Sequence, residues 1–275
     1  MPEDGSQASA DSFLFNTGTS VKDLQTLTQD LHLDEEGQLS DQDFELLRSK
    51  VEDPKDHEML ANLVSRNVEK IRFSLPWVSL YPGFEQRLLR AGKRFIALDV
   101  RGRDLLDHAY SGMPLRTRKG GSVSSSKYLA YYNPLGDFMV LPTDHDESID
   151  FVATEELLHS TKPFPPKTQQ TLRVAWGIIN EGATRHYLAE IHGAGNLPSD
   201  WTKPSSAGTN YLIGEQLWRV WIEKYGDRRM ADAYFGQESF PDGIDVDMLS
   251  RGAVSYLRNV EGREDLIRQF ANPEL

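Results

Sequence analysis

The sequence predicts an α+β protein, on three observations. From Ser20 to about Leu75 the apolar residues recur at threes and fours, the spacing of amphipathic helices. Between Trp77 and Pro142 that spacing gives way to short runs rich in aromatic and β-branched residues, the pattern of strands. After Pro142 helical spacing returns almost to the C-terminus. At 275 residues, 39% hydrophobic and 10% aromatic, the chain can bury a substantial core in one large domain or two modest ones.

Residues 1–18 are small and polar and are expected to be disordered. A helical segment should occupy 19–76. Val21, Leu24, Leu27 and Leu31 mark its first helix. Phe44, Leu46, Leu47 and Val51 mark a second behind a Ser40 cap with Asp43 three residues on, and a third runs from Asp56 to Ile71. The loop from His32 to Asp43 has the outline of a calcium-binding EF-hand loop, with Gly37 at the turn and Asp34, Glu36 and Ser40 at ligand offsets. His32 in first place and Asp43 where calcium sites favour a bidentate Glu point instead to a solvated acidic connection between helices.

A larger domain should span 77–275. Arg94 to Val100 reads as a strand. Lys127 to Tyr132 and Asp137 to Leu141 read as an antiparallel hairpin around Asn133-Pro134-Leu135-Gly136, where Pro second and Gly fourth suit a type I turn. Gly120 to Ser126 reads as a flexible insertion, beside the densest basic patch, Arg116 to Lys119. A helix is expected from Ser148 to Thr161, broken by Pro163-Phe164-Pro165-Pro166. The next runs from about Thr168 to His192, with Leu172, Ala175, Trp176, Ile179 and Ala183 on one face and Ile178 and Leu188 on another, so it should be buried on more than one side. Helices over Tyr211 to Tyr225 (ended by Gly226), Arg229 to Phe235 and Asp247 to Val260 complete the chain.

Several function classes drop out. With no cysteine there are no disulfides, thiolate metal sites or cysteine nucleophiles. A net charge of −12 argues against a nucleic-acid partner, which requires clustered Lys and Arg. No apolar run approaches the ~18–20 residues of a membrane span. The N-terminal MPEDGSQASADS lacks the basic and apolar regions of a signal peptide, so a cytoplasmic location, or export without such a signal, is expected.

The chemistry concentrates in Glu155-Glu156-Leu157-Leu158-His159 and in Asn180-Glu181-Gly182. On a helix, positions 155 and 159 project from one face. That spacing lets two side chains grip one metal ion, and the stretch is one substitution from H-E-x-x-H, with Glu155 where the first histidine would stand. Glu156 and His159 also form an E-x-x-H pair of the kind found in di-iron bundles, but such sites need two pairs and the chain has one. His159 also fits an ordinary core histidine. His145 lies ten residues before Glu155 in an acidic loop, within reach as a substitute ligand. The other five histidines have no ligand context.

The order hairpin, E-E-L-L-H helix, N-E-G helix resembles the gluzincin branch of zinc metallopeptidases, over residues ~125–235. The resemblance implies a zincin-like domain over 77–275, with a small sheet packed on the motif helix. It implies His159 and Glu181 as metal ligands, Glu156 as the general base that activates the attacking water, and zinc or another divalent cation between them. Gly182, after the ligand, would permit close helix packing, and Tyr211 would be an oxyanion donor. The substrate or partner would be a protein or peptide. Glu155 departs from the family. It can serve as a third ligand through a carboxylate oxygen, giving a weaker Lewis acid suited to harder ions such as manganese or iron. It can instead belong to a dead site whose Glu155, Glu156 and Glu181 pair with Arg173 or Arg185, or to an enzyme deliberately silenced. The two functions that follow are a metal-dependent peptidase and an inactive pseudopeptidase that binds a protein or peptide. Three carboxylates brought together repel one another unless a cation sits among them.

Overall fold

A computed structural model describes residues 13–31, 38–81, 83–111, 130–133, 136–144, 148–161, 170–197, 208–235 and 240–271. The described chain is mostly helical, with a small three-stranded mixed sheet. It divides into two units, residues 1–67 with 90–156 and residues 68–89 with 157–275.

The first unit holds the sheet. Its strands are β1 (Phe95–Leu98), β2 (Tyr131–Asn133) and β3 (Phe138–Pro142), in the order β1-β3-β2. β1 runs parallel to β3 with Ile96 opposite Val140, and β2 runs antiparallel to β3 with Tyr131 opposite Val140. The antiparallel pair is the expected hairpin; residues 134–135, on which its turn type depends, lie outside the described residues. Every residue of β1 and β3 is buried. Ile96, Leu98, Phe138 and Val140 share one core cluster with Val21 and Leu24 of α1 (Val21–Asp30), Phe44, Leu47 and Val51 of α2 (Asp41–Val51), and Leu105 and Leu106 of α5 (Val100–Ser111). Strands buried on both faces lose the alternation that would mark them in sequence.

The expected cap at Ser40 forms, and Ser20 caps the first helix in the same way. The Ser20 and Ser40 hydroxyls accept the backbone N–H groups of Asp23 and Asp43. Phe13 and Phe15, read from the sequence as part of a disordered tail, are buried in the same cluster, and Leu14 bridges to Ser20. Two aromatic rings in an otherwise polar stretch carry enough apolar surface to dock it. Residues 32–37 and 112–129, and with them the first half of the calcium-like loop, the basic patch and the glycine–serine insertion, lie outside the described residues.

Among the described residues β1 is an edge strand, and the Glu52 carboxylate accepts the N–H of Ala97 at 2.5 Å on that edge. His57, from α3 (Pro54–Ser74), stacks on Phe95 with ring centroids 4.4 Å apart and faces Glu52 at 3.2 Å. Burial pushes the Glu52 carboxyl up to about 8, against the opposing pull of the Ala97 N–H and Arg48. In the unfolded chain the group titrates near 4.5, so between these values the folded unit keeps a proton that the unfolded chain has released. Stability is therefore fullest below about pH 4.5 and falls as pH rises to about 8, by a loss on the order of 2 kcal/mol once the unit relaxes around the charge. Glu52→Gln keeps the acceptor oxygen and has no proton to lose. Denaturant melts should show the variant without this decline, and an unchanged pH slope would assign it to other groups.

The second unit is helical. It contains the end of α3, a 3-10 turn at Pro76–Leu80, most of α4 (Phe84–Ala91), and the last turn of α6 (Ile149–Thr161). There follow α7 (Gln170–His192), α8 (Gly208–Tyr225), α9 (Asp227–Phe235), α10 (Val246–Leu249), α11 (Ala253–Asn259) and α12 (Glu264–Ala271). Its centre is aromatic, with Trp77, Phe84, Tyr187, Trp218, Tyr234 and Phe235 in tilted and edge-to-face contacts. α8 ends at Gly226, whose φ of 88° is the left-handed stop expected there.

Three helices were not predicted: α4 and α5 fall in the stretch read as strands, and α12 lies beyond the last expected helix. α4 and α12 are each only eight residues long, too short for a clear helical period. The helix expected over Asp247 to Val260 is two, α10 and α11, separated at Gly252, whose φ of 115° no helix accommodates. No described helix is long and apolar enough to cross a membrane.

Candidate metal centre

α6 is enclosed on nearly every side. Val152, Ala153, Leu157 and Leu158 are buried, and so are Thr154, Glu156, Ser160 and Thr161. The three hydroxyls are satisfied by carbonyls of the helix itself, Asp150, Leu157 and Leu158. Along 151–161 the half-buried positions are Phe151, Glu155 and His159, four apart and therefore one stripe. A helix wrapped by protein except along one line presents its polar chemistry on that line. Glu155 and His159 both lie on α6, four residues apart.

α7 supplies the third residue. Ala175, Ile179 and Ala183 bury one of its faces as expected, and Leu188 is buried too. Gly182, directly after Glu181, is a close crossing with α8: a Cβ there would lie 2.3 Å from the carbonyl oxygen of Gly214. The opposed residue is also a glycine, so backbone meets backbone and the height of Glu181 is fixed. Gly182→Ala must push α7 and α8 apart. It should cost about 1–3 kcal/mol in a denaturant melt, and a neutral result would mean that the crossing yields freely.

One ligand atom from each of Glu155, His159 and Glu181 falls within 4.8 Å of the other two, so the three could hold a metal ion. Nε2 of His159 lies 3.6 Å from Oε2 of Glu181. Ligand atoms at the usual zinc distances sit about 3.4 Å apart on a tetrahedral edge. The His159–Glu181 pair is already near that spacing, and a Glu155 ligand atom lies within 4.8 Å of both. The donor set is one imidazole nitrogen and two carboxylates, which suits zinc and harder divalent ions alike. Among the described residues no second trio of His, Asp or Glu converges in this way.

The histidine is held from behind. Asn180 Nδ2 lies 2.7 Å from His159 Nδ1, and Thr184 Oγ1 lies 3.2 Å from the same nitrogen. The Tyr234 hydroxyl, from α9, donates to Asn180 Oδ1 at 2.7 Å and lies 3.2 Å from Thr184 Oγ1. Burial raises the Tyr234 phenol above its ordinary value, and the charge of Glu181 adds to this, so it remains a donor at neutral pH. Such outer partners orient a ligating ring.

No family model, no curated protein and no solved structure matches this chain.

Glu156 follows Glu155 on α6 and is only 7% exposed. Tyr211 stands in the first turn of α8, its side chain outside the described residues, as are those of Arg173 and the whole of His145. Arg185, one turn beyond Glu181, is buried and sets its Nε 3.4 Å from Glu215 Oε2, while Arg219 holds the other oxygen of Glu215 at 2.6 Å. Other histidines have structural surroundings: His108 faces Gln25, His186 faces Glu190, and His192 faces Lys70. Sequence reasoning quoted Asn180 without giving it a role, and missed Thr184 and Tyr234. Thr184 lies one helical turn from Asn180, which the spacing could have shown. Tyr234 is 54 residues from Asn180, with no sequence signal joining them.

Proposed function

We propose that Glu155, His159 and Glu181 hold one divalent cation in a gluzincin-like metallopeptidase site. What carries the reading is the convergence of these three side chains from α6 and α7. Gly182 supports it, since the close crossing after the ligand glutamate is what the resemblance implied. A bound cation would supply Lewis-acid polarisation of water and of a peptide carbonyl. Glu156 would take the proton of the attacking water and return it to the leaving amine. His159 is fixed against Asn180 and Thr184, so its ring does not reorient on loading. Tyr211 remains the proposed donor to the oxyanion. A zincin-like domain over 77–275 acting on a protein or peptide is part of the same proposal.

Glu155 favours a second reading alongside the first. Two anionic ligands neutralise a divalent cation and blunt its Lewis acidity, so a scaffold that binds peptides without cleaving them fits as well. Elemental analysis of the purified protein tests the shared part of both. About one manganese, iron or zinc per chain is expected, and none after manganese or zinc supplementation would remove the metal centre.

A further inference from the structure

We propose that Tyr234 is a positioning residue that sets which ring nitrogen of His159 carries the proton, and thereby whether the centre is open to a cation. This rests on the metal-centre reading above. A neutral imidazole has one N–H and one lone pair. Nδ1 of His159 faces Asn180 Nδ2 at 2.7 Å, and an amide nitrogen only donates. With Nδ2 turned to the ring, Nδ1 is the acceptor, and that amide orientation puts the proton on Nε2, the nitrogen 3.6 Å from the Glu181 carboxylate. In that tautomer Nε2 has no lone pair for a cation.

Opening the centre moves the proton to Nδ1, so the group behind Nδ1 must accept. The Asn180 amide can do so by turning over, with Oδ1 toward the ring and Nδ2 toward Tyr234. The Tyr234 hydroxyl now donates to Asn180 Oδ1. A phenol also accepts, and its own proton has a second acceptor in Thr184 Oγ1 at 3.2 Å. The chain thus reverses its direction. When closed, Tyr234 O–H donates to Asn180 and Asn180 N–H donates to His159 Nδ1. When open, Nδ1–H donates to Asn180, Asn180 N–H to Tyr234, and Tyr234 O–H to Thr184. One N–H bond breaks at Nε2 and one forms at Nδ1, through water, and the ring is neutral throughout. Tyr234 is wholly buried, so no bulk water can take over its part.

The test uses the full chain, titrated with zinc and with manganese against a chelating indicator, beside nitrogen-15 spectra of the His159 ring in metal-free protein. The metal-free parent should carry the proton on Nε2. Tyr234→Phe, which removes the acceptor that the turned amide needs, should keep its helical circular dichroism and bind both ions about 10–100-fold more weakly. Asn180→Asp can only accept, so it should move the proton to Nδ1. The double variant should then bind within about threefold of Asn180→Asp alone, a rescue that a purely structural role for Tyr234 would not give. Parent-like affinity in Tyr234→Phe overturns the proposal, as does a double variant no better than Tyr234→Phe, or a parent with its proton on Nδ1. If the parent binds neither ion the metal centre falls, and the relay then stands or falls on the tautomers of the parent and of Asn180→Asp.

Discussion

Replacing Glu155 with histidine is expected to fill the centre with zinc and to raise peptide hydrolysis at least about tenfold, a barrier lowered by about 1.4 kcal/mol. Position 155 lies one turn before His159 on the half-buried stripe of a helix that is otherwise enclosed. An imidazole placed there projects along the same line as His159. The swap changes the donor set from one nitrogen and two carboxylates to two nitrogens and one carboxylate, the set of zinc hydrolases. It also removes one anion, so the cation retains more charge with which to polarise a carbonyl. The measurement is zinc content by elemental analysis together with cleavage of a fluorogenic peptide library, parent and variant side by side. Zinc gained with hydrolysis means that Glu155 alone restrains a peptidase. Zinc gained without hydrolysis favours the peptide-binding reading. If the variant binds no zinc while it folds, the gluzincin-like reading is wrong.

What the sequence made legible follows from how far each signal reaches. The pairing of Glu155 with His159 is local, because four residues on a helix fix a direction, and the glycine after Glu181 marked a helix crossing before any partner was known. The partner, Gly214, could not be named: it lies 32 residues on, and although its helix was expected, no local signal says which helix crosses at Gly182. The cap at Ser40 was legible for the same local reason. α5 was not. Its apolar residues, Leu105, Leu106 and Ala109, follow a buried strand closely enough that the two periods blur. Tyr234 lay furthest from reach: its hydroxyl acquires meaning only when α9 brings it to Asn180.

Replacing Glu156 with glutamine is expected to lower hydrolysis about 10²–10⁴-fold while the metal content stays at one per chain. Gln has the shape and volume of Glu, so packing against the enclosed side of α6 is preserved. It cannot take up a proton at neutral pH, so the attacking water loses its base. Glu156 is not among the three converging ligands, and the loss should therefore fall on kcat with KM nearly constant. The comparison is sharpest in the Glu155→His background, where activity is expected to be measurable, with each variant's metal content determined on the same preparation. Loss of metal with activity would make Glu156 a ligand or a support for one. Retained activity would dismiss it as the base and return its buried carboxylate to a structural role, since a carboxylate 7% exposed must be compensated by partners in the fold. The result also bears on the pseudopeptidase. A protein that uses this site only to bind peptides has no use for a proton acceptor beside the metal ligands, and Glu156→Gln would then leave peptide affinity as it was.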